Sequence, residues 1–208
     1  MEILDGKRVS EELYKKLQED VAGLKKKQIN PRLVIIQMGD DPASSSYIKS
    51  KLKASEKIGI ETEHLHFTID QVDTEQLIAK VHELNKDPAV TGILVQLPLA
   101  PHIYTPEVMK AIDPKKDVDG FTAYNLGKMF LSTEFEDLAP CTPLGIIRML
   151  EHYSINPEGK EAVIVGRSNI VGKPIAVMLV NRGATVTVCN SKTKNLADHT
   201  RRADILVV

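Results

Sequence analysis

The sequence has little that would indicate a metal centre, a membrane span or a nucleic-acid surface. Its only two cysteines, Cys141 and Cys189, are far apart without metal-type spacing, so neither a disulfide framework nor a zinc site is indicated. No apolar stretch approaches the ~20 residues that span a bilayer, and the net charge is only -1 with both signs interspersed. The N-terminus lacks the basic-then-apolar form of a signal peptide. We therefore expect a cytoplasmic protein without metal, nucleic-acid or membrane partners.

Strand-like and helical segments alternate along the 208 residues, which is typical of parallel strands joined by crossover helices. The predicted strands are 32–38, 61–67, 92–99, 162–165, 185–189 and 204–208, and the predicted helices are 9–27, 44–57, 74–84, 144–152, 173–181 and 195–200. Residues 115–143 are predicted to be loop-rich. The pattern predicts an α/β fold with two domains, 1–140 and 141–208. The second ends on an apolar strand, and because an unfinished sheet exposes such an edge, we expect it to be C-terminally incomplete.

The segment 163–174 joins a strand-like run, a glycine turn and the start of a helix. This is the architecture of a phosphate cradle, because the free N–H groups of a helix N-terminus attract anions. Gly166 and Gly172 are separated by five residues without a Gly-x-Gly pair, unlike the ordinary dinucleotide fingerprint. Pro174 after Lys173 rules out a Walker A loop. An ordinary tight strand–helix turn is the alternative.

The end of the next strand distinguishes NAD from NADP. An acidic residue ~20 positions past the glycine turn binds the ribose hydroxyls of NAD, whereas cationic and hydroxyl groups suit the extra phosphate of NADP. Residues 189–193 read Cys-Asn-Ser-Lys-Thr without a carboxylate, and Arg167 can supply a charge-assisted bond to the same phosphate. The sequence favours NADP, and a polar strand end without a ligand is the alternative.

A tyrosine and a lysine four residues apart lie in the predicted helix 44–57. Tyr47 and Lys51 therefore share a helix face, one turn from each other. Partial burial and the flanking Lys49 and Lys53 disfavour the ammonium form of Lys51, which suits proton transfer. A solvated lysine-rich face is the alternative. Tyr-x-x-x-Lys is also the catalytic pair of short-chain dehydrogenases, but there it follows the nucleotide-binding strands, whereas here it precedes them.

Two further polar features stand in the first domain. Gln96 lies in the apolar run 92–99, and because a buried amide needs partners, we expect it to point into a polar site at the strand end. Asp117 and Asp119 lie in a loop closed by Gly120, and either carboxylate can bind a donor-rich heterocycle. A calcium loop would continue with alternating oxygens and a distal glutamate. An aspartate-rich turn without a ligand is the alternative.

Taken in order, these motifs resemble those of the bifunctional methylenetetrahydrofolate dehydrogenase/methenyltetrahydrofolate cyclohydrolase family. The matching segments are 44–51, 92–99, 116–121, 140–145, 166–174 and 190–193. The resemblance implies a folate-binding catalytic domain and a Rossmann-like NADP-binding domain flanking a cleft, commonly in a homodimer. It implies NADP-dependent oxidation of 5,10-methylene-tetrahydrofolate and hydrolysis of the methenyl product to 10-formyl-tetrahydrofolate, within one-carbon metabolism and purine biosynthesis.

The resemblance also implies roles for individual residues. Lys51 is similar to the proton-transfer residue of the hydrolysis, and Tyr47 to the residue that stacks on folate and orients that lysine. Gln96 is similar to the hydrogen-bonding partner of the lysine, and Asp119 to the anchor of the pterin-like ring. The implied substrate-binding residues are Tyr47, Lys51, Gln96, Leu97, Pro98 and Asp119. The implied cofactor-binding residues are Gly166, Arg167, Ser168, Gly172, Pro174 and Ser191.

Two other functions remain open from the sequence. Family members continue beyond a strand like 205–208 with more strands, a Pro- and Gly-rich loop and a final helix that returns to the first domain. A truncated, non-catalytic fragment that binds folate or NADP is therefore one alternative, and a monofunctional dehydrogenase is the other. The presence of Lys51, Tyr47, Gln96 and Asp119 favours the bifunctional enzyme.

Overall fold

The structure is a computed structural model that describes residues 3–208. The chain divides into two compact units. Ser10–Val118 form one, called here the 10–118 unit, and the residues before Ser10 together with Asp119–Val208 form the other, called the 119–208 unit. The α/β fold and the presence of two domains are as predicted, and the boundary at residue 140 stays a prediction. Among the described residues, every helix is too short or too polar to cross a membrane.

The 10–118 unit is built on a parallel three-stranded sheet in the order β2-β1-β3. Its elements are α1 (Gly6–Lys26, which begins before the unit), β1 (Arg32–Met38), α2 (Pro42–Ile58), β2 (Glu61–Phe67), α3 (Thr74–Lys86), β3 (Gly92–Val95) and α4 (Thr105–Ala111). The central strand β1 pairs with both neighbours, so that Leu33 lies opposite Thr62 on one side and Gly92 on the other. Apolar side chains of β1, β3, α3 and α4 form one core cluster. A smaller cluster joins Ile48 of α2 to Ile35 and Leu94 of the sheet.

Helix α2 has well-defined ends. The Asp41 carboxylate caps it by accepting a bond of 2.7 Å from the backbone N–H of Ser44, which lowers the pKa of Asp41 below its ordinary value. Pro42 occupies the first turn, where a missing N–H costs nothing. Gly59 ends the helix in the left-handed conformation, with φ 83°.

The 119–208 unit repeats the same topology with a second parallel sheet, in the order β5-β4-β6. Its elements are α5 (Ala123–Met129), a 3₁₀ turn (Thr133–Phe135), α6 (Cys141–His152), β4 (Glu161–Val165), α7 (Gly172–Val180), β5 (Thr185–Cys189), α8 (Leu196–Thr200) and β6 (Ile205–Val207). The core of this unit lies between β4, α6 and α7 and includes Ile147, Ile164, Ile175 and Leu179.

All six predicted strands form, but two details of the prediction were wrong. The strand predicted over 92–99 ends at Val95. Gln96 N–H still donates to the Ile36 carbonyl, but Pro98 has no N–H with which to continue the ladder. The stretch predicted as loop-rich contains α5 and the 3₁₀ turn, which begin at the side-chain caps Thr122 and Ser132.

Candidate active site and cofactor turn

The topology of each sheet marks one edge for ligand binding. In both sheets the first strand is central and the next two lie on opposite sides of it, so the connections reverse direction between β1 and β3 and between β4 and β6. Open parallel sheets bind ligands outside the carboxyl ends of the strands at such a reversal. The residues that follow these strands are therefore the candidates for function.

Lys51 and Gln96 meet at this edge of the 10–118 unit. Lys51 Nζ donates to Gln96 Oε1 at 3.4 Å, and both side chains are half-buried. The amide nitrogen of Gln96 donates in turn to the Leu97 carbonyl at 2.8 Å. The amide is therefore oriented by the backbone and presents its oxygen to the lysine. A hydrogen bond of 3.4 Å is long, so Nζ can stay near Gln96 and still bond to a ligand.

Tyr47 supplies an exposed aromatic face one helical turn before Lys51. Its side chain is 65% exposed, which is unusual for so large an apolar surface. Leu97 is half-buried and Pro98 is exposed after the end of β3. A planar heterocycle could stack on the exposed tyrosine ring while the polar pair contacts its edge.

The two loop carboxylates are in different situations. Asp117 is buried and bridges to Ile93 beside the sheet, so it is part of the structural frame of the 10–118 unit. Asp119 begins the 119–208 unit and is half-buried, and its Oδ1 accepts a bond of 3.9 Å from the Cys141 thiol. Gly120 is needed after it, because a Cβ there would lie 2.3 Å from the Leu138 carbonyl oxygen. Of the two, Asp119 is the less buried carboxylate.

The turn after β4 requires glycine at both predicted positions. Gly166 has φ 145°, a conformation that side-chain-bearing residues rarely adopt. A Cβ on Gly172 would lie 2.4 Å from the carbonyl oxygen of Gly166, so the start of α7 packs directly on the turn. This close approach brings the N-terminus of α7, the positive end of its dipole, to the turn, which favours an anion there.

Ser168 organises the same turn. Its hydroxyl oxygen accepts bonds from the backbone N–H groups of Val171 at 3.1 Å and Gly172 at 3.2 Å. A hydroxyl that accepts two bonds still has its own hydrogen to donate, which suits a phosphate oxygen. Arg167 is exposed beside it, and Pro174 is buried in the first turn of α7, where proline is tolerated.

The end of β5 lies next to this turn. Val165 and Cys189 are paired across the two strands, and Gly166 donates to the Cys189 carbonyl at 2.9 Å. The following residues fold on themselves, since Asn190 N–H donates to Thr193 Oγ1 at 2.8 Å, and they leave Ser191 exposed. A glycine cradle, a helix N-terminus and a strand end without a carboxylate together fit the phosphates of a dinucleotide with an extra phosphate on its ribose.

Some residues of the site were missed by the sequence interpretation. Gln37 is buried at the end of β1 and bonds to Ser45 of α2 and to His64 of β2. The signal was present, because Gln37 interrupts an apolar strand as Gln96 interrupts the run 92–99. Cys141, which contacts Asp119, lies in the matching segment 140–145 but was given no role there. Within residues 3–208 no group of three His, Cys, Asp or Glu side chains is arranged to hold a metal ion.

Comparisons with known proteins agree with this geometry. The model of the tetrahydrofolate dehydrogenase/cyclohydrolase catalytic domain matches residues 4–119, and that of the NAD(P)-binding domain of the same proteins matches residues 140–208. The chain belongs to the tetrahydrofolate dehydrogenase/cyclohydrolase family. The predicted family is thus confirmed. The catalytic-domain match includes Lys51 and Gln96, and the NAD(P)-binding match includes the whole glycine turn.

Individual relatives of this family are similar over nearly the whole chain. The bifunctional protein FolD of Nautilia profundicola is 46% identical over 208 residues, which are 100% of this chain and 72% of that protein. The crystal structure of FolD from Campylobacter jejuni has a TM-score of 0.96 at 47% identity, and the match covers 99% of this chain and 72% of the C. jejuni chain. The Trypanosoma brucei enzyme, solved with NADP and an inhibitor, has a TM-score of 0.91 at 34% identity. That match covers 98% of this chain and 69% of the T. brucei chain.

Proposed function

We propose that the chain oxidises 5,10-methylene-tetrahydrofolate with NADP and hydrolyses the resulting methenyl compound to 10-formyl-tetrahydrofolate. Family membership supports both steps, since the matching models and relatives are named for a dehydrogenase and a cyclohydrolase. The observation that carries the proposal is the contact between Lys51 and Gln96, because it gives this chain an oriented amine at the ligand-binding edge of its sheet.

For the oxidation, the 119–208 unit binds the cofactor. NADP, when bound, supplies the acceptor for the hydride of the substrate. The positive end of the α7 dipole and the hydroxyl of Ser168 bind the diphosphate, and Gly166 and Gly172 give the backbone room to approach it. Arg167 and Ser191 bind the extra ribose phosphate. This cofactor choice is supported by the strand end without a carboxylate and by the NADP complex of the T. brucei relative.

For the hydrolysis, Lys51 moves the proton. The neutral amine of Lys51 takes one proton from the water as the water adds to the methenyl carbon, and it passes that proton to the folate nitrogen as the bond between this nitrogen and the carbon breaks. The remaining hydroxyl proton is released to solvent, which leaves the formyl carbonyl. Gln96 Oε1 keeps the amine directed at this position. Tyr47 stacks on the folate ring system, Leu97 and Pro98 contact it, and Asp119 anchors its donor-rich edge.

One assay on the purified chain tests the proposal. The absorbance of reduced cofactor is followed with 5,10-methylene-tetrahydrofolate and NADP, and the decay of the methenyl absorbance is followed separately. Both changes are expected. Formation of the methenyl compound without its decay would leave a monofunctional dehydrogenase, and no change in either would leave a folate- or NADP-binding fragment.

The assembly and the location of the protein are also part of the proposal. We propose a homodimer in the cytoplasm, acting on small folate molecules without nucleic-acid or membrane partners. The support is the family and the balanced charge of the chain. Sedimentation equilibrium at micromolar concentration tests the dimer, and a single species of 23 kDa would contradict it.

A further inference from the structure

A polar cluster ties the end of β1 to the first turn of α2 in the 10–118 unit. Gln37 is 3% exposed, and its amide nitrogen donates to the Gly39 carbonyl at 2.9 Å and to Ser45 Oγ at 3.1 Å. Its amide oxygen lies 3.0 Å from Nε2 of His64 on β2. All the hydrogen-bonding atoms of this buried side chain therefore have a partner, as expected where burial would otherwise be costly.

The identity of each partner fixes the orientation of the Gln37 amide. The Gly39 carbonyl can only accept, so the nitrogen of Gln37 must face it and the oxygen must face His64. His64 therefore carries its hydrogen on Nε2. The Gly39 carbonyl oxygen also lies 3.0 Å from Nε2 of His66, so the second lone pair of this oxygen is used as well. A flipped amide would set two acceptors against each other at Gly39.

Helix α2 links this cluster to the candidate active site, because it carries both Ser45 and Lys51. Its apolar side is held by Ile48, which packs on Ile35 and Leu94, but apolar contacts have little directional preference. Hydrogen bonds are directional and set the rotation and the position of the helix along its axis. Ser45 lies six residues before Lys51, about 9 Å along the helix. A small shift of the first turn would therefore be passed on to the lysine.

We propose that Gln37 and Ser45 are positioning residues, and that their hydrogen bond sets α2 so that the Lys51 amine faces Gln96. His64 assists by holding the amide of Gln37 in the required orientation. The inference rests on the proposed role of Lys51 in the hydrolysis. A misplacement of about 1 Å is enough to lower a catalytic rate strongly, so a bond remote from the substrate affects turnover without contributing to substrate binding.

Three substitutions on one helix turn test this. Ser45→Ala removes the acceptor of Gln37, Ser45→Thr keeps a hydroxyl, and Ser46→Ala makes the same change at an exposed neighbour. We expect Ser45→Ala to lower kcat for methenyl hydrolysis by about three- to tenfold with KM changed less than about twofold. Ser45→Thr and Ser46→Ala should stay close to the unchanged protein. Equal rates in Ser45→Ala and Ser46→Ala would overturn the proposal.

A measurement without substrate separates this inference from the proposed function. In protein labelled with ¹⁵N-lysine, the Nζ resonance of Lys51 is assigned by its loss in Lys51→Ala. It should shift in Ser45→Ala and not in Ser46→Ala, whether or not the protein hydrolyses the folate. An unshifted resonance would overturn the positioning role, whereas a shifted resonance in a protein without hydrolysis would overturn only the proposed function.

Gln37→Glu extends the test to the amide itself. The carboxylate keeps an acceptor for His64 and can accept from the Ser45 hydroxyl, but it has no hydrogen for the Gly39 carbonyl, so two acceptors face each other there. We expect the same direction of change in kcat and in the Lys51 resonance as for Ser45→Ala, and a larger size. Should this variant fail to fold, the Ser45 series still decides.

Discussion

The two three-stranded sheets share one topology but differ in what they carry at their carboxyl ends. In the 10–118 unit, side chains are hydrogen-bonded to one another: Gln37 donates to Ser45, and Lys51 donates to Gln96. In the 119–208 unit, the turn after β4 is shaped by backbone contacts, while Arg167 and Ser191 stay exposed. The same frame thus supports an oriented side-chain site in one unit and a backbone cradle in the other.

The difference follows from the chemistry that each edge is proposed to perform. Proton transfer depends on one group at one position, so fixed neighbours improve it. Phosphate binding draws on the helix dipole and on charge that acts over a longer range, so a backbone cradle with exposed cations is sufficient. Changes in the first unit should therefore affect turnover, and changes in the second should affect cofactor affinity.

The largest effect is expected from Lys51→Ala. Removal of the proposed proton-transfer group should abolish methenyl hydrolysis, a loss of about 10²–10⁴-fold or more. The decay of methenyl absorbance measures it. Lys53→Ala removes an exposed lysine from the same helix and should retain the rate. Hydrolysis retained in Lys51→Ala would show that the oriented side-chain site is not where the proton moves.

A large effect on cofactor binding, and not on hydrolysis, is expected from Gly172→Ala. The added Cβ would lie 2.4 Å from the Gly166 carbonyl oxygen, so the turn or the start of α7 must move. We expect KM for NADP to rise at least about tenfold, while methenyl hydrolysis is largely retained. In Gly23→Ala the Cβ meets no atom within 4 Å, so the added alanine should leave KM for NADP unchanged. Equal loss of NADP-dependent oxidation and of methenyl hydrolysis in Gly172→Ala would contradict the assignment of cofactor binding and hydrolysis to different units.

A smaller effect is expected from the exposed cation. Arg167→Ala should raise KM for NADP about tenfold and leave KM for NAD almost unchanged, because only NADP carries the additional phosphate. Steady-state rates with both cofactors measure the ratio, and Ser191→Ala should move it in the same direction. An equal change for NAD and NADP would remove both residues from the phosphate-binding assignment.

The sequence was a good guide where one local pattern determines one local structure. Apolar runs located the strands, and the glycines of the segment 163–174 located the turn, because these depend on neighbouring residues. The short helix α5 was missed, since it depends on the Thr122 cap more than on apolar spacing. The Gln37 cluster was missed for a different reason. His64 reaches Gln37 only through the register that sets Gln37 opposite His66, and no sequence pattern gives that register.

The smallest effect is a pH dependence that belongs to the 10–118 unit. The His64 ring is exposed on one side and loses water on the side that faces Gln37; this partial desolvation, and then the positive charge of nearby His66, lower the pKa of His64 below its ordinary 6.5. The unfolded chain therefore takes up a proton at a pH where the folded chain does not. The contribution of neutral His64 to stability is present above pH 6.5 and is lost as the pH falls through the folded-state pKa.

His64→Gln isolates this contribution, because glutamine keeps an N–H for Gln37 but does not titrate. Urea unfolding midpoints measured between about pH 5 and about pH 8 should fall less steeply with acid in this variant than in the unchanged protein. The difference should be small, since His64 is largely exposed and solvent screens its charge. His82→Gln, at an exposed position on α3, serves as the control and should keep the original slope. Identical slopes in the His64 and His82 variants would mean that the side-chain cluster of the first sheet does not respond to protons, and the contrast between the two edges would then rest on geometry alone.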